Sequence, residues 1–86
     1  MDNFQKLKEQ LDGQEWPAVY FFKFIVPNDN EKVAKISSLF GEAEINFKTS
    51  RTGKFISISA KEVMLNTDAI IKVYKQASQI KGVISL

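Results

Sequence analysis

The segment Ala18-Val19-Tyr20-Phe21-Phe22-Lys23-Phe24-Ile25-Val26 constrains the fold more than any other part of the chain. It is crowded with aromatic and β-branched residues, which suit a pleated, half-buried surface. Pro17 stands at its start, where no ladder donor is needed, and Pro27 ends it. Side chains alternate across a strand, so Tyr20, Phe22, Phe24 and Val26 share one face and Val19, Phe21, Lys23 and Ile25 the other. Both faces are largely apolar, the mark of a central strand. Lys23 tells them apart. The even face reads as the core, and the odd face as less deeply buried.

The remaining elements follow from periodicity. Phe4, Leu7 and Leu11 lie on one face of a short leading helix, capped by Asp2 and stopped by Asp12-Gly13. A helix that short must dock on something to persist. After Pro27, Asn28 and Glu31 read as a capping-box variant. The helix they open runs to about Phe40, burying Val33, Ile36, Leu39 and Phe40, with Gly41 as its stop. Glu44–Thr49 alternates, with Ile45 and Phe47 inward. Ser50-Arg51-Thr52-Gly53 is a hairpin connection, and Lys54 to about Met64 returns as a strand. That strand puts Ile56, Ile58 and Ala60 on one face, and Phe55, Ser57 and Ser59 on the other. Asn66 or Thr67 caps a helix to about Gln79 with a stripe of Ile70, Val73, Tyr74 and Ala77. Gly82 breaks the chain before a last strand, Val83–Leu86.

The order is β-α-β-β-α-β behind a helical extension. Two βαβ halves joined by a hairpin predict an α+β, ferredoxin-like plait. Its four-stranded antiparallel sheet has spatial order 4-1-3-2 and carries two helices on one face. Residues 16–86 form the single domain, and residues 1–15 the extension. With 86 residues there is no room for a second domain.

Composition excludes several chemistries. The chain has neither His nor Cys. Disulfide frameworks, thiolate zinc sites and Cys- or His-based nucleophilic catalysis are therefore not available within it. Glu42 and Glu44 are paired carboxylates without a third ligand, Asp29 and Glu31 flank a helix start whose dipole stabilises acids, and neither pair fits the calcium-loop pattern. The four glycines are scattered, so no phosphate-cradling loop exists. No catalytic residue, metal or cofactor is expected, and the chain reads as a non-enzyme. The longest apolar run falls well short of the ~20 residues a membrane helix needs. The N-terminus has no apolar signal core. The reading is a soluble, cytoplasmic protein.

What remains is a surface. The plait's second sheet face has no helices of its own. Alternation places Val19, Phe21, Ile25 and Phe55 there as one apolar patch, with Lys23 and Ser57 among them and Glu44, Asn46 and Lys48 around them. Such a patch usually has a use. One reading has the leading helix fold back over it. A second makes it a surface for self-association or for another protein. A third is an RNA platform, with Phe21 and Phe55 stacking bases. The last fits the expected basic-Gly-aromatic-small-aromatic signature poorly, because Ser57 stands where a second outward aromatic is wanted. Charge is uneven: residues 1–43 carry five basic and seven acidic side chains, residues 44–86 seven and three. Lys48, Arg51 and Lys54 gather near the hairpin tip, where they either keep it solvated or meet an anionic partner.

The residues also resemble a family. Trp16-Pro17 before an aromatic strand, Lys23 within it, Ser50-x-x-Gly53-Lys54-Phe55-x-Ser57-Ile58-Ser59, Tyr74 and the ending Val83-x-x-Leu86 are similar to the YbeD-like family of small uncharacterised bacterial proteins. That family usually has Tyr at the position of Phe55, Phe at the position of Trp16, and a longer stretch between the first two strands. The resemblance implies a plait akin to the ACT regulatory domain. It implies a regulatory or protein-interaction module, with a partner protein and a small effector as expected ligands, and it brings no catalytic residue.

Overall fold

The computed structural model describes residues 4–41 and 44–86. In chain order the elements are α1 (Gln5–Leu11), β1 (Ala18–Pro27), α2 (Asn30–Ser37), β2 (Glu44–Thr49), β3 (Phe55–Met64), α3 (Thr67–Ser78) and β4 (Ile84–Ser85). Among the described residues the fold is α+β: three helices and an open four-stranded sheet in the order β2-β3-β1-β4, with every pairing antiparallel. Read from the β4 edge, that order is 4-1-3-2.

β1 and β3 are central, as their apolar content requires. They pair over ten residues each, from Ala18 opposite Met64 to Pro27 opposite Phe55. The even side of β1 is sealed: Phe22, Phe24 and Val26 are 1%, 0% and 0% exposed. Ile58, Ala60 and Met64 extend this surface on β3. α2 and α3 cover it with Ile36, Ile70, Val73, Tyr74 and Ala77. Phe22 sits at the centre of an aromatic cluster, 4.7 Å from the Tyr20 ring, 5.1 Å from Phe40 and 5.5 Å from Tyr74 between centroids. Each such side chain contributes about 1.5–3 kcal/mol by leaving water.

Two polar groups enter this core together. The Tyr20 and Tyr74 hydroxyls share a hydrogen bond of 3.0 Å. Burial, and then the Tyr20 hydroxyl, push the Tyr74 phenol well above the ordinary tyrosine range.

Several boundaries differ from the sequence expectation. Asn28 is not the cap of α2. Asp29 is: its Oδ1 accepts from the backbone N–H of Glu31 at 2.9 Å and of Lys32 at 3.3 Å. The Asn28 amide is drawn away to the hairpin, where Nδ2 donates to the Gly53 carbonyl at 2.8 Å. α2 also ends at Ser37 rather than near Phe40. Hydroxyls of Ser37 and Ser38 take up the Val33 and Lys35 carbonyls, and the chain leaves through tight turns at Leu39 and Phe40. Gly41 is therefore no helix stop, and it lacks the positive φ seen at Gly53 and Gly82. Phe47 lies opposite Ile58, on the helix side, yet is 54% exposed because it stands on the edge strand beyond the reach of the helices. The expected Asp2 cap and the Glu42 carboxylate fall outside the described residues.

The leading helix does not cover the open sheet face. α1 packs against α3 on the helix side. Phe4 stacks on Tyr74 with centroids 6.4 Å apart, and Leu11 joins the core at 3% exposure. Phe4 and Leu7 pack against the core that α3 and the even sheet face form, and Leu11 belongs to it, so these three residues are not left to cover the odd face.

Candidate functional site

Odd positions of β1 and β3 and even positions of β2 share the helix-free face. Cross-strand partners are side-chain neighbours, so the register maps this face in rows. Val19 lies opposite Val63, and Phe21 opposite Lys61. Lys23 lies opposite Ser59, Ile25 opposite Ser57, and Pro27 opposite Phe55. β2 adds Glu44 beside Lys61, Asn46 beside Ser59, and Lys48 beside Ser57. β4 adds Ile84 beside Ile25.

This map corrects the expected single patch. Phe21 and Phe55 are not neighbours. The antiparallel register sets them at opposite ends of the face, Phe21 in the Lys61 row and Phe55 in the Pro27 row. Six residues of strand, about 20 Å, separate those rows. One apolar cluster is Val19, Phe21 and Val63, exposed by 49%, 70% and 61%. The other is Ile25, Phe55 and Ile84. Between them runs a polar band, the row of Lys23, Ser59 and Asn46, bordered by Lys61 across from Phe21 and by Ser57 across from Ile25. The geometry denies the two phenylalanines a shared run of stacked bases, since neighbouring bases would have to span the band.

The band has local structure. The Lys61 ammonium sits 5.8 Å from the centre of the Phe21 ring, a cation–π contact of about 0.5–1 kcal/mol at an exposed site. Phe21, Lys23, Glu44, Asn46, Ser59 and Lys61 surround a shallow hollow of about 240 Å³. Lys61 and Val63 were missed in the sequence, although the alternation that assigned Phe55, Ser57 and Ser59 reaches both when continued along the strand. Ile84 could not be placed without the β1–β4 register.

The hairpin residues separate into structural and exposed groups. Ser50 accepts the Phe55 N–H on its hydroxyl at 3.1 Å, and its own N–H donates to the Phe55 carbonyl at 2.8 Å. Gly53 takes φ +76°, which only glycine adopts cheaply. The Asn28 N–H donates to the Lys54 carbonyl at 2.9 Å, so the turn is latched to the β1–α2 junction. Lys48 belongs to the open face beside Ser57, whereas Arg51 and Lys54 project from the turn beyond it. The three bases are thus distributed along one end of the sheet.

Among the described residues, no group of three or more carboxylates could hold a metal ion, and no helix is long and apolar enough to cross a membrane. Searches among curated proteins and among solved structures returned no match. A family described as "Protein of unknown function (DUF493)" matches residues 12–86, which takes in every strand and the two helices that cover the sheet. On that match, the chain belongs to the DUF493 family.

Proposed function

We propose that this chain is a non-enzymatic, ferredoxin-like interaction module that docks another protein on its helix-free sheet face. Phe21 is the observation that carries the reading: a phenylalanine at the middle of a central strand, 70% exposed, flanked by exposed Val19 and Val63. Beyond the Lys61 contact, leaving such side chains in water contributes little to the monomer. Covering them contributes roughly 25 cal/mol per Å² before association costs. The likeness to YbeD-like, ACT-related plaits agrees with a regulatory role, and a cysteine-free chain suits the reducing cytoplasm. The test is Phe21→Asp together with Val63→Asp, read by co-purification from the native cell and by circular dichroism. The variants are expected to fold as wild type and lose their partner. A variant that keeps the same partner at the same yield overturns the reading.

A small-effector sensor is a second reading. It is favoured by the hollow beside Phe21, where Lys23, Lys61, Asn46 and Ser59 offer polar contacts around an apolar floor. Thermal shift against a panel of amino acids tests it: stabilisation lost in Ser59→Ala supports it, and no shift from any of them refutes it.

A further inference from the structure

The docking face has a charge as well as a shape, and the two together restrict its occupant. Among the described residues, three lysines, Lys23, Lys48 and Lys61, stand on it against one carboxylate, Glu44. Lys23 lies in the row between the two apolar clusters and Lys61 lies across from Phe21 at the edge of the first, so any partner that covers both clusters also covers them. A second copy of this chain laid face to face would bring lysine bands together, and a like-charge juxtaposition across an interface is strongly unfavourable. A nucleic acid strand would satisfy the lysines but leave Val19, Val63, Ile25 and Ile84 against a sugar–phosphate chain. It would also find its two aromatic platforms about 20 Å apart.

Resting on the interaction reading above, we propose that the occupant is an amphipathic helix of a partner protein. It carries apolar side chains near both ends of one face and carboxylates between them. About 20 Å corresponds to about 13 helical residues, close to four turns. A helix of that length laid along β1 sets its end residues on the Phe21 and Phe55 clusters, its central acids over Lys23, and an acid on the β3 side of its first turn near Lys61. Such a helix forms a third layer on the sheet, opposite α2 and α3. The apolar ends supply affinity. The central charges set register and exclude basic competitors.

The test uses the full chain and two synthetic helices with leucines in their first and last turns. One has glutamates at the central positions of the same face, and the other has lysines there. Fluorescence anisotropy is expected to show the glutamate helix binding about tenfold or more tightly, with affinity falling between about 50 and about 300 mM salt. Phe21→Asp should abolish binding, and Lys23→Glu with Lys61→Glu should reverse the preference. Equal binding of the two helices, lost in Phe21→Asp, overturns the acidic partner while the docking face stands. So does sedimentation showing a wild-type dimer that Phe21→Asp dissociates. Salt-sensitive binding of a short oligouridine in place of either helix overturns the proposal in favour of RNA. If neither helix binds and Phe21→Asp changes no association at all, both the proposal and the face it rests on fall.

Discussion

Phe21 and Phe22 are adjacent in sequence and chemically identical, and the fold assigns them opposite surroundings. Phe22 is 1% exposed and packs among Tyr20, Phe24, Phe40 and Tyr74. Truncating it to alanine removes its transfer free energy and leaves a cavity that rigid neighbouring rings close only in part. The expected cost is about 3–5 kcal/mol. A domain of this size has about 4–13 kcal/mol in all, so Phe22→Ala moves the urea midpoint by about 2 M or more. Phe22→Leu, with an expected cost of about 1–1.5 kcal/mol, keeps the comparison measurable if the alanine variant does not fold. Phe21→Ala loses only the Lys61 contact and a partly covered ring, and should cost less than about 1 kcal/mol. Equilibrium urea unfolding followed by circular dichroism measures both. If Phe21→Ala destabilises as much as Phe22→Ala, the odd face is covered in the free protein and is no docking surface.

Two further outcomes follow from local structure. Burial and the Tyr20 hydroxyl hold the Tyr74 phenol neutral in the folded chain beyond its ordinary value. The unfolded chain therefore loses this proton first, and stability should fall as pH rises past about 10, the ordinary tyrosine value. Tyr74→Phe should flatten that decline in denaturant titrations at alkaline pH, and an unchanged slope counts against the assignment. Gly82 has φ +85°, and an added Cβ would meet the Pro27 Cγ at 2.9 Å, whereas Gly53, at φ +76°, has open space around it. Gly53→Ala should cost about 1–2 kcal/mol from the left-handed backbone alone. Gly82→Ala should cost measurably more by thermal unfolding, and equal costs would show that Pro27 gives way freely.

Periodicity together with proline, glycine and capping signals located the elements and the inward faces of β1, β3 and α3. Alternation in Ala18–Val26 separates Phe22 and Phe24 from Phe21 and Lys23, because pleated backbones send successive side chains to opposite sides whatever lies around them. The stripe of Ile70, Val73, Tyr74 and Ala77 marks the buried face of α3 by the same kind of local geometry. Capping was less legible: Asn28 and Asp29 are both good caps, and the choice was made by the hairpin, whose Gly53 carbonyl captures the Asn28 amide. The candidate site was legible as a face but not as a pattern. Only the pairing of β1 with β3 decides that Phe21 meets Lys61 while Phe55 meets Pro27, since register is a relation between distant segments that no local window contains. Only tertiary packing decides where α1 goes. Its three apolar residues suit either face of the sheet, and they pack on the helix side beside Tyr74, leaving Phe21 in water.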